Sequence, residues 1–291
     1  MSRKRVLAAI QLRVERDPAV QLHRLEERIR EAAAQGAQVI LLPELPTTPY
    51  FCKTQDPRYF ELAAPLRDHP FVGRMAALAR ELEVVLPVSY FERAVNVFFN
   101  SLAWLDADGT LLGNYRKTHI PDGPGYQEKF YFSPGDTGFR VFETRYGRFG
   151  AGICWDQWFP ETTRALALAG AEVVFFPSAI GSEPEQPELD SRDHWQRVMQ
   201  GQAAANLVPL VAANRTGVEC DDGVEIDFYG SSFITDWQGA KIAAADRAGE
   251  AVLLAEIDLD RAAVARRDWG LFRDRRPEMY APLMHKACDP E

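Results

Sequence analysis

The sequence has few cysteines and no long apolar run. Its four cysteines, at positions 52, 154, 220 and 288, are widely scattered and lack the paired spacing of a zinc site. The apolar stretch 6–12 is interrupted by Gln11 and ended by Arg13, which makes it too short for a signal-peptide core. No stretch approaches the length of a membrane span. We therefore expect a cytoplasmic protein with reduced thiols and no membrane partner.

The sequence also lacks an excess of basic residues. It has 33 lysines and arginines against 42 aspartates and glutamates, which gives a formal net charge of −9 over 291 residues. Such a charge argues against nucleic acid and anionic membranes as main partners, and it is compatible with a cationic substrate. An apolar fraction of 46% is ordinary for a globular protein with a sizeable core.

Strand and helix patterns alternate along the chain. Short apolar runs predict strands at 6–12, 39–42, 84–88, 101–105, 111–115, 149–153 and 173–176. Helices are predicted from Asp17-Pro18 to Gly36, with an apolar face at Leu22, Leu25 and Ile29, and also from Phe71 and from Pro160. This alternation favours an α/β (α+β) protein with mixed sheets.

The chain contains an internal repeat. Residues 35–44 match residues 169–178 position for position at an offset of 134, and residues 101–109 parallel residues 231–239 at an offset of 130. Two matches in the same order indicate two similar halves. Two such halves could pack sheet on sheet with the helices outside, as an α-β-β-α sandwich. We expect one domain over residues 1–270 and a C-terminal tail, 271–291, that could contact another subunit.

Cys154 stands at the corner between a predicted buried strand and a helix. Residues 149–153 are small and apolar, and Pro160 opens the helix that follows. Backbone N–H groups around such a corner and an exposed sulfur would suit a thiolate nucleophile. The alternative is that Cys154 is a buried small hydrophobic residue, the usual fate of a free cysteine.

Three further residues could carry chemistry. Glu44 directly follows a predicted strand and Pro43, where its carboxylate could act as a general base in a pocket. Lys117 follows the predicted strand 111–115 and could stabilise an oxyanion. Glu128 lies in a loop rich in proline, glycine and aromatic residues. Each of these, taken alone, could equally be a structural or solvated residue.

Taken together, these segments resemble the nitrilase superfamily of carbon–nitrogen hydrolases. The similar motifs are residues 41–44 (Leu-Leu-Pro-Glu), 115–117 (Tyr-Arg-Lys) and 150–156 (Gly-Ala-Gly-Ile-Cys-Trp-Asp), in the family's order. The resemblance implies an α-β-β-α fold, a homodimer or larger homo-oligomer, and a mechanism without metal or cofactor.

The resemblance also implies roles for the matching residues. Cys154 would be the nucleophile, and Glu44 the general base and then the general acid. Lys117 would hold the oxyanion together with the backbone N–H of Trp155. Glu128 would position the substrate or the lysine.

A narrower resemblance concerns the substrate. Residues 116–122, 125–132 and 178–184 are similar to the branch of the superfamily that hydrolyses N-carbamoylputrescine to putrescine, carbon dioxide and ammonia in polyamine synthesis. The loop after strand 173–176 is acidic, and Glu183 is our candidate contact for the distal ammonium of a small cationic ureido substrate.

Other functions stay open on the sequence alone. An N-carbamoyl amino acid such as N-carbamoyl-β-alanine, or an ω-amide, would bring a carboxylate that Arg192 or Arg215 could bind. A cysteine–histidine hydrolase using His119 or His194 is disfavoured, because the glutamate and lysine motifs already account for activation. A catalytically silent scaffold has no physical reason to keep Glu44, Lys117 and Cys154 together.

Overall fold

The computed structural model describes residues 3–287, so Cys288 and the last residues of the predicted tail lie outside the described part. The strands are β1 Lys4–Gln11, β2 Val39–Leu41, β3 Leu86–Ala94, β4 Val97–Leu105, β5 Leu111–Arg116, β6 Val141–Thr144, β7 Gly147–Ala151, β8 Val173–Ser178, β9 Leu210–Asn214, β10 Thr216–Asp221, β11 Val224–Tyr229, β12 Phe233–Thr235, β13 Lys241–Ala244 and β14 Ala251–Asp258. The helices are α1 Pro18–Ala34, α2 Pro70–Leu82, α3 Pro160–Leu168, α4 Arg192–Asn206 and α5 Leu259–Trp269.

The two predicted halves form two sheets of matching topology. In the first, β14-β1-β2 and β3-β4-β5 are joined by a parallel bridge between Val39 and Val85. The second has the order β13-β12-β9-β8-β7-β6. The pair β1 and β2 is parallel, as is the equivalent pair β7 and β8.

The sheets pack face to face, with helices on their outer surfaces. Trp104 of the first sheet lies 5.4 Å from Phe142 and 5.8 Å from Phe175 of the second, measured between ring centroids. A second apolar cluster joins the first sheet to α1 and α2, and a third joins the second sheet to α3 and α4. The predicted α-β-β-α sandwich is therefore confirmed.

Helix α1 shows how local sequence sets an element. The Asp17 carboxylate accepts hydrogen bonds from the N–H groups of Ala19 and Val20, at 2.8 and 3.1 Å, and Pro18 occupies the first turn. Leu25 and Ile29 of the predicted face are fully buried, whereas Leu22 is partly buried and packs against the apolar cluster that contains them. None of the helices within residues 3–287 has the length and apolar character needed to cross a membrane.

Candidate active site

The ends of strands β2, β5 and β7 bring three of the predicted residues into one region. Glu44 follows β2, Lys117 directly follows β5, and Cys154 comes three residues after β7. The Glu44 N–H donates to the carbonyl of Ser178 at the end of β8, at 3.3 Å, which ties this turn of the first half to the second. The site thus lies where the two halves meet, as a site shared between repeated halves requires.

Lys117 lies between two buried carboxylates. Its Nζ is 2.9 Å from Glu44 Oε1 and 2.6 Å from Glu128 Oε2, and all three side chains are fully buried. Burial alone would lower the pKa of Lys117, but the negative charges of Glu128, Glu44 and Cys154 outweigh it and raise that pKa well above its usual range. Lys117 therefore stays protonated, as an ammonium, at neutral pH.

Glu128 is held by a second donor. Tyr50 donates its hydroxyl proton to Glu128 Oε1 at 2.7 Å. Burial, supported by the nearby charge of Glu44, raises the pKa of Glu128 from 4.5 to about 7, against the opposing effect of Lys117. One cation beside two carboxylates leaves a surplus negative charge, and a proton on Glu128 relieves it.

This shift predicts a pH-dependent stability. Because the folded-state pKa of Glu128 lies above 4.5, the group's contribution to stability is fully present below about pH 4.5 and is lost as pH rises through about 7. A Glu128→Gln variant mimics the protonated form and escapes that loss. We expect the melting temperature of Glu128→Gln, relative to wild type, to be higher at pH 8 than at pH 5.5. If the melting temperatures of the variant and wild type differ by the same amount at both pH values, this prediction is wrong. Glu185→Gln, a substitution of an exposed residue, is the control.

Cys154 occupies a tight turn with left-handed backbone geometry, φ +42°. The turn is held by Asp156, which accepts hydrogen bonds from the N–H of Ile153 at 2.9 Å and from the hydroxyl of Tyr115 at 2.7 Å. His119 is also bound to Asp156, with its Nδ1 2.7 Å from Oδ1, and stacks on Phe159. His119 thus supports the turn through Asp156.

The sequence predicted an exposed sulfur, and this prediction is wrong, because Cys154 is only 7% exposed. Cys154 lines a small cavity together with Trp158, Ala179 and Ile180. The Cys154 Sγ lies 3.8 Å from the carbonyl of Ala179. Burial, together with the charge of Glu44, raises the thiol pKa well above its usual range, and Lys117 only partly opposes this. The resting Cys154 is therefore a thiol, and it could act as a nucleophile only if a base took its proton.

Gly152 leads into this turn. A Cβ at Gly152 would lie 2.6 Å from the Phe176 ring, 2.9 Å from Asp156 and 3.0 Å from Thr162. Side chains of β8, α3 and the cysteine turn therefore approach Gly152 too closely for a larger residue.

Cys154 opens into a cavity of about 160 Å³, which we call the reaction cavity. Glu128, Trp155 and Glu183, all three singled out from the sequence, lie in its wall. The Trp155 side chain is 40% exposed, and its N–H is in the first turn of a 3₁₀ segment, where such groups have no partner within the helix. The remaining lining residues are Pro121, Asp122, Gly123, Pro124, Tyr126, Cys154, Trp158, Ala179 and Ile180.

Glu183 is the half-buried acid of this wall. Burial raises its pKa, and its carboxylate has no ion pair or hydrogen bond with any residue that the structure describes. Two later acids of the same segment differ from Glu183. Asp190 pairs with Arg247 and Asp193 with Arg192. The lining of the reaction cavity, within residues 3–287, includes no lysine or arginine.

A model of the carbon–nitrogen hydrolase family matches residues 6–267. This chain belongs to that family. It is 54% identical to N-carbamoylputrescine amidase of Arabidopsis thaliana, over 97% of this chain and 96% of the relative. It is also 53% identical to a citrullinase of Francisella tularensis, over 96% of this chain and 98% of the relative. A carbon–nitrogen hydrolase from Helicobacter pylori has the same fold, with a TM-score of 0.91 and 36% identity over 98% of this chain and all of that one.

Arg215 of this hydrolase is not available to a substrate carboxylate. The residue is fully buried, and its Nη2 donates to the carbonyls of Glu44 and Leu45 at 2.9 and 2.7 Å, while its Nη1 donates to Glu219 at 2.7 Å. Leu45 has a φ of +44°, a conformation that costs energy outside glycine. Arg215 therefore stabilises the turn that presents Glu44.

Sequence reasoning missed two side chains of the hydrolase site. Tyr50 lies in an irregular segment between β2 and α2. Asn100 lies in the middle of β4 and donates from Nδ2 to Glu44 Oε1 at 2.6 Å. Neither residue follows a strand or belongs to a motif that points to chemistry. Among residues 3–287, no group of three or more histidine, cysteine, aspartate or glutamate side chains is placed to hold a metal ion.

Proposed function

We propose that this hydrolase converts N-carbamoylputrescine to putrescine, carbon dioxide and ammonia. The observation that carries the proposal is Glu183, an unpaired, half-buried carboxylate in the wall of the same cavity as Cys154. A ureido group at Cys154 would leave the distal ammonium of a short diamine to reach this carboxylate. The high identity to N-carbamoylputrescine amidases supports the same substrate.

The proposed chemistry uses Cys154 as the nucleophile and Glu44 as the proton carrier. As Sγ attacks the ureido carbon, the thiol proton passes to Glu44, which then gives a proton to the departing nitrogen. The carbon stays on sulfur as a thiocarbamate. Glu44 next takes a proton from the attacking water and gives it to Sγ as the carbon–sulfur bond breaks, which restores the thiol. The released carbamate decomposes to an amine or ammonia and carbon dioxide.

Lys117 is the proposed oxyanion donor. An ammonium has three N–H groups, and two of them are committed to Glu44 and Glu128, which leaves one for the tetrahedral oxygen. Its raised pKa keeps it charged while the oxyanion forms. The N–H of Trp155, at the start of the 3₁₀ segment, is the proposed second donor.

Citrulline is the second candidate substrate, because a citrullinase is 53% identical to this chain. Citrulline carries a ureido group and an α-ammonium but adds an α-carboxylate. The described wall of the reaction cavity has no lysine or arginine to bind a carboxylate, and Glu183 would repel one. The same argument disfavours N-carbamoyl-β-alanine and ω-amides, since Arg215 is bound within the protein.

The test is ammonia release from N-carbamoylputrescine, citrulline and N-carbamoyl-β-alanine at equal concentrations. We expect kcat/KM for the diamine derivative to exceed the other two by about 10²-fold or more, roughly the cost of an unpaired charge. A preference for citrulline or N-carbamoyl-β-alanine would reject the proposed substrate and keep the hydrolase chemistry.

The same assay tests Glu183. Replacing Glu183 with glutamine removes the charge with little change in shape, so we expect KM for N-carbamoylputrescine to rise by about 10- to 100-fold, with kcat nearly unchanged. Glu185→Gln, two residues further along and exposed, is the matched control and should behave as wild type. Equal effects of the two substitutions would show that Glu183 does not bind the ammonium.

We further propose that the enzyme acts in polyamine synthesis in the cytoplasm, where reducing conditions keep Cys154 a free thiol. We also propose that it forms a homodimer or a larger homo-oligomer. Exposed apolar side chains of α5 and the C-terminal segment support this assembly, with Trp269 72% and Leu283 67% exposed. Light scattering of the purified protein checks the assembly.

A further inference from the structure

The two carboxylate oxygens of Glu44 have different environments. Oε1 accepts two hydrogen bonds, from Lys117 Nζ at 2.9 Å and from Asn100 Nδ2 at 2.6 Å. Oε2 is buried and accepts no hydrogen bond from any residue that the structure describes. Because no protein donor occupies Oε2, its lone pairs can accept an incoming proton from thiol or water.

Asn100 creates this asymmetry. The residue is fully buried in the middle of β4, where the sheet fixes its position. Its main-chain carbonyl accepts the N–H of Lys117 at 2.9 Å, while its amide holds Glu44. Asn100 Oδ1 has no hydrogen-bond partner among the described residues. A flipped amide would put this oxygen against Glu44 Oε1, so only the donating orientation is compatible with the carboxylate.

We infer that Asn100 is a positioning residue that, with Lys117, occupies Oε1 of Glu44 and so makes Oε2 the oxygen that takes and returns protons. The inference rests on the proposed cysteine–glutamate–lysine mechanism and not on the identity of the substrate. It differs from a structural role, because the Asn100 amide acts only through the ionised form of Glu44. A hydrogen bond to a carboxylate stabilises the charged form, so removing it changes how the rate depends on pH.

Two variants test this in opposite directions. Asn100→Leu keeps the approximate volume but donates at no pH, so the acid limb of the rate profile should move up by about one pH unit. Asn100→Asp keeps the shape but can donate only when its new carboxyl group is protonated. The rate of Asn100→Asp relative to wild type should therefore rise by about 10-fold from pH 8 to pH 5.5.

The rate is measured in two ways, because the substrate is itself a proposal. One is kcat/KM for N-carbamoylputrescine, and the other is the rate at which iodoacetamide alkylates Cys154, followed by mass spectrometry of the intact enzyme. If wild type does not turn over N-carbamoylputrescine but the alkylation profiles shift as described, the proposed substrate fails and the role of Asn100 stands.

Asn114 supplies the matched control. It is an asparagine on the neighbouring strand β5 whose Nδ2 donates to Glu92, at 3.1 Å, outside the reaction cavity. Asn114→Leu and Asn114→Asp should leave both pH profiles unchanged. The inference is overturned if the folded Asn100 variants react at a constant fraction of the wild-type rate at every pH. If Asn100→Leu does not fold, Asn100→Asp alone decides, since its expected profile has the opposite slope.

Discussion

Hydrolysis is expected to be lost when Cys154 is replaced with alanine, while the fold is retained. Removing the nucleophile of a hydrolase that forms a covalent intermediate costs on the order of 10⁵- to 10⁶-fold in kcat. The left-handed turn does not depend on the sulfur, because Asp156 holds it through Ile153 and Tyr115. Circular dichroism and thermal unfolding should therefore match wild type, and ammonia release should fall to the background rate.

Cys220→Ala is the control for this prediction. Cys220 is an exposed free thiol on β10, outside the reaction cavity, and its replacement should leave activity unchanged. Retained hydrolysis in Cys154→Ala would mean that another group, such as water activated by Glu44, attacks the substrate directly. The raised pKa of the Cys154 thiol adds a second expectation: Cys154→Ser should be inactive too, since a serine hydroxyl is harder still to deprotonate.

The sequence predicts the residues at the strand ends of the site better than it predicts their hydrogen-bond partners. Glu44, Lys117 and Cys154 each come at or just after the end of a predicted strand, and the internal repeat places those strands in two equivalent sheets. Strand ends that lie at the same edge bring their side chains together. In the sequence, however, it was the order of the three family motifs that grouped these residues. Glu128 was a candidate only through the family resemblance, because nothing in its loop specifies where the loop folds.

The partners of these residues depend on tertiary contacts that have no local signal. Asn100 reaches Glu44 only because β4 pairs with β3 and β5 in one register. Tyr50 reaches Glu128 across 78 positions of the chain. The hairpin β10–β11 was not predicted either.

The burial of Cys154 is a second feature that the sequence did not predict: an exposed sulfur was expected. A corner between strand and helix is usually exposed. The sequence gives no sign that residues 179, 180 and 183 and the tryptophans at 155 and 158 enclose it. That enclosure changes the chemistry, because a buried thiol is harder to ionise than an exposed one. The proposed mechanism therefore assigns Glu44 as the base that takes the thiol proton.

Lys117→Met is expected to damage both activity and stability. Methionine has a similar length but no charge, so the variant leaves Glu44 and Glu128 buried without a cation. Breaking such a pair costs about 3–5 kcal/mol of unfolding free energy. Loss of the oxyanion donor should lower kcat by about 10²- to 10³-fold. Chemical denaturation and ammonia release measure the two effects separately, and Lys129→Met, on an exposed lysine of the adjacent turn, should change neither.

A double variant separates these two consequences of losing Lys117. Adding Glu128→Gln to Lys117→Met removes one of the two stranded carboxylates, so part of the lost stability should return. The recovery should be larger at pH 8 than at pH 5.5, because Lys117 no longer lowers the pKa of Glu128, so that this carboxyl group is already protonated at the lower pH. Activity should stay low, since no donor replaces the ammonium. A double variant no more stable than Lys117→Met would mean that the ammonium does not compensate the Glu128 carboxylate, and that the cost of the single substitution comes from packing.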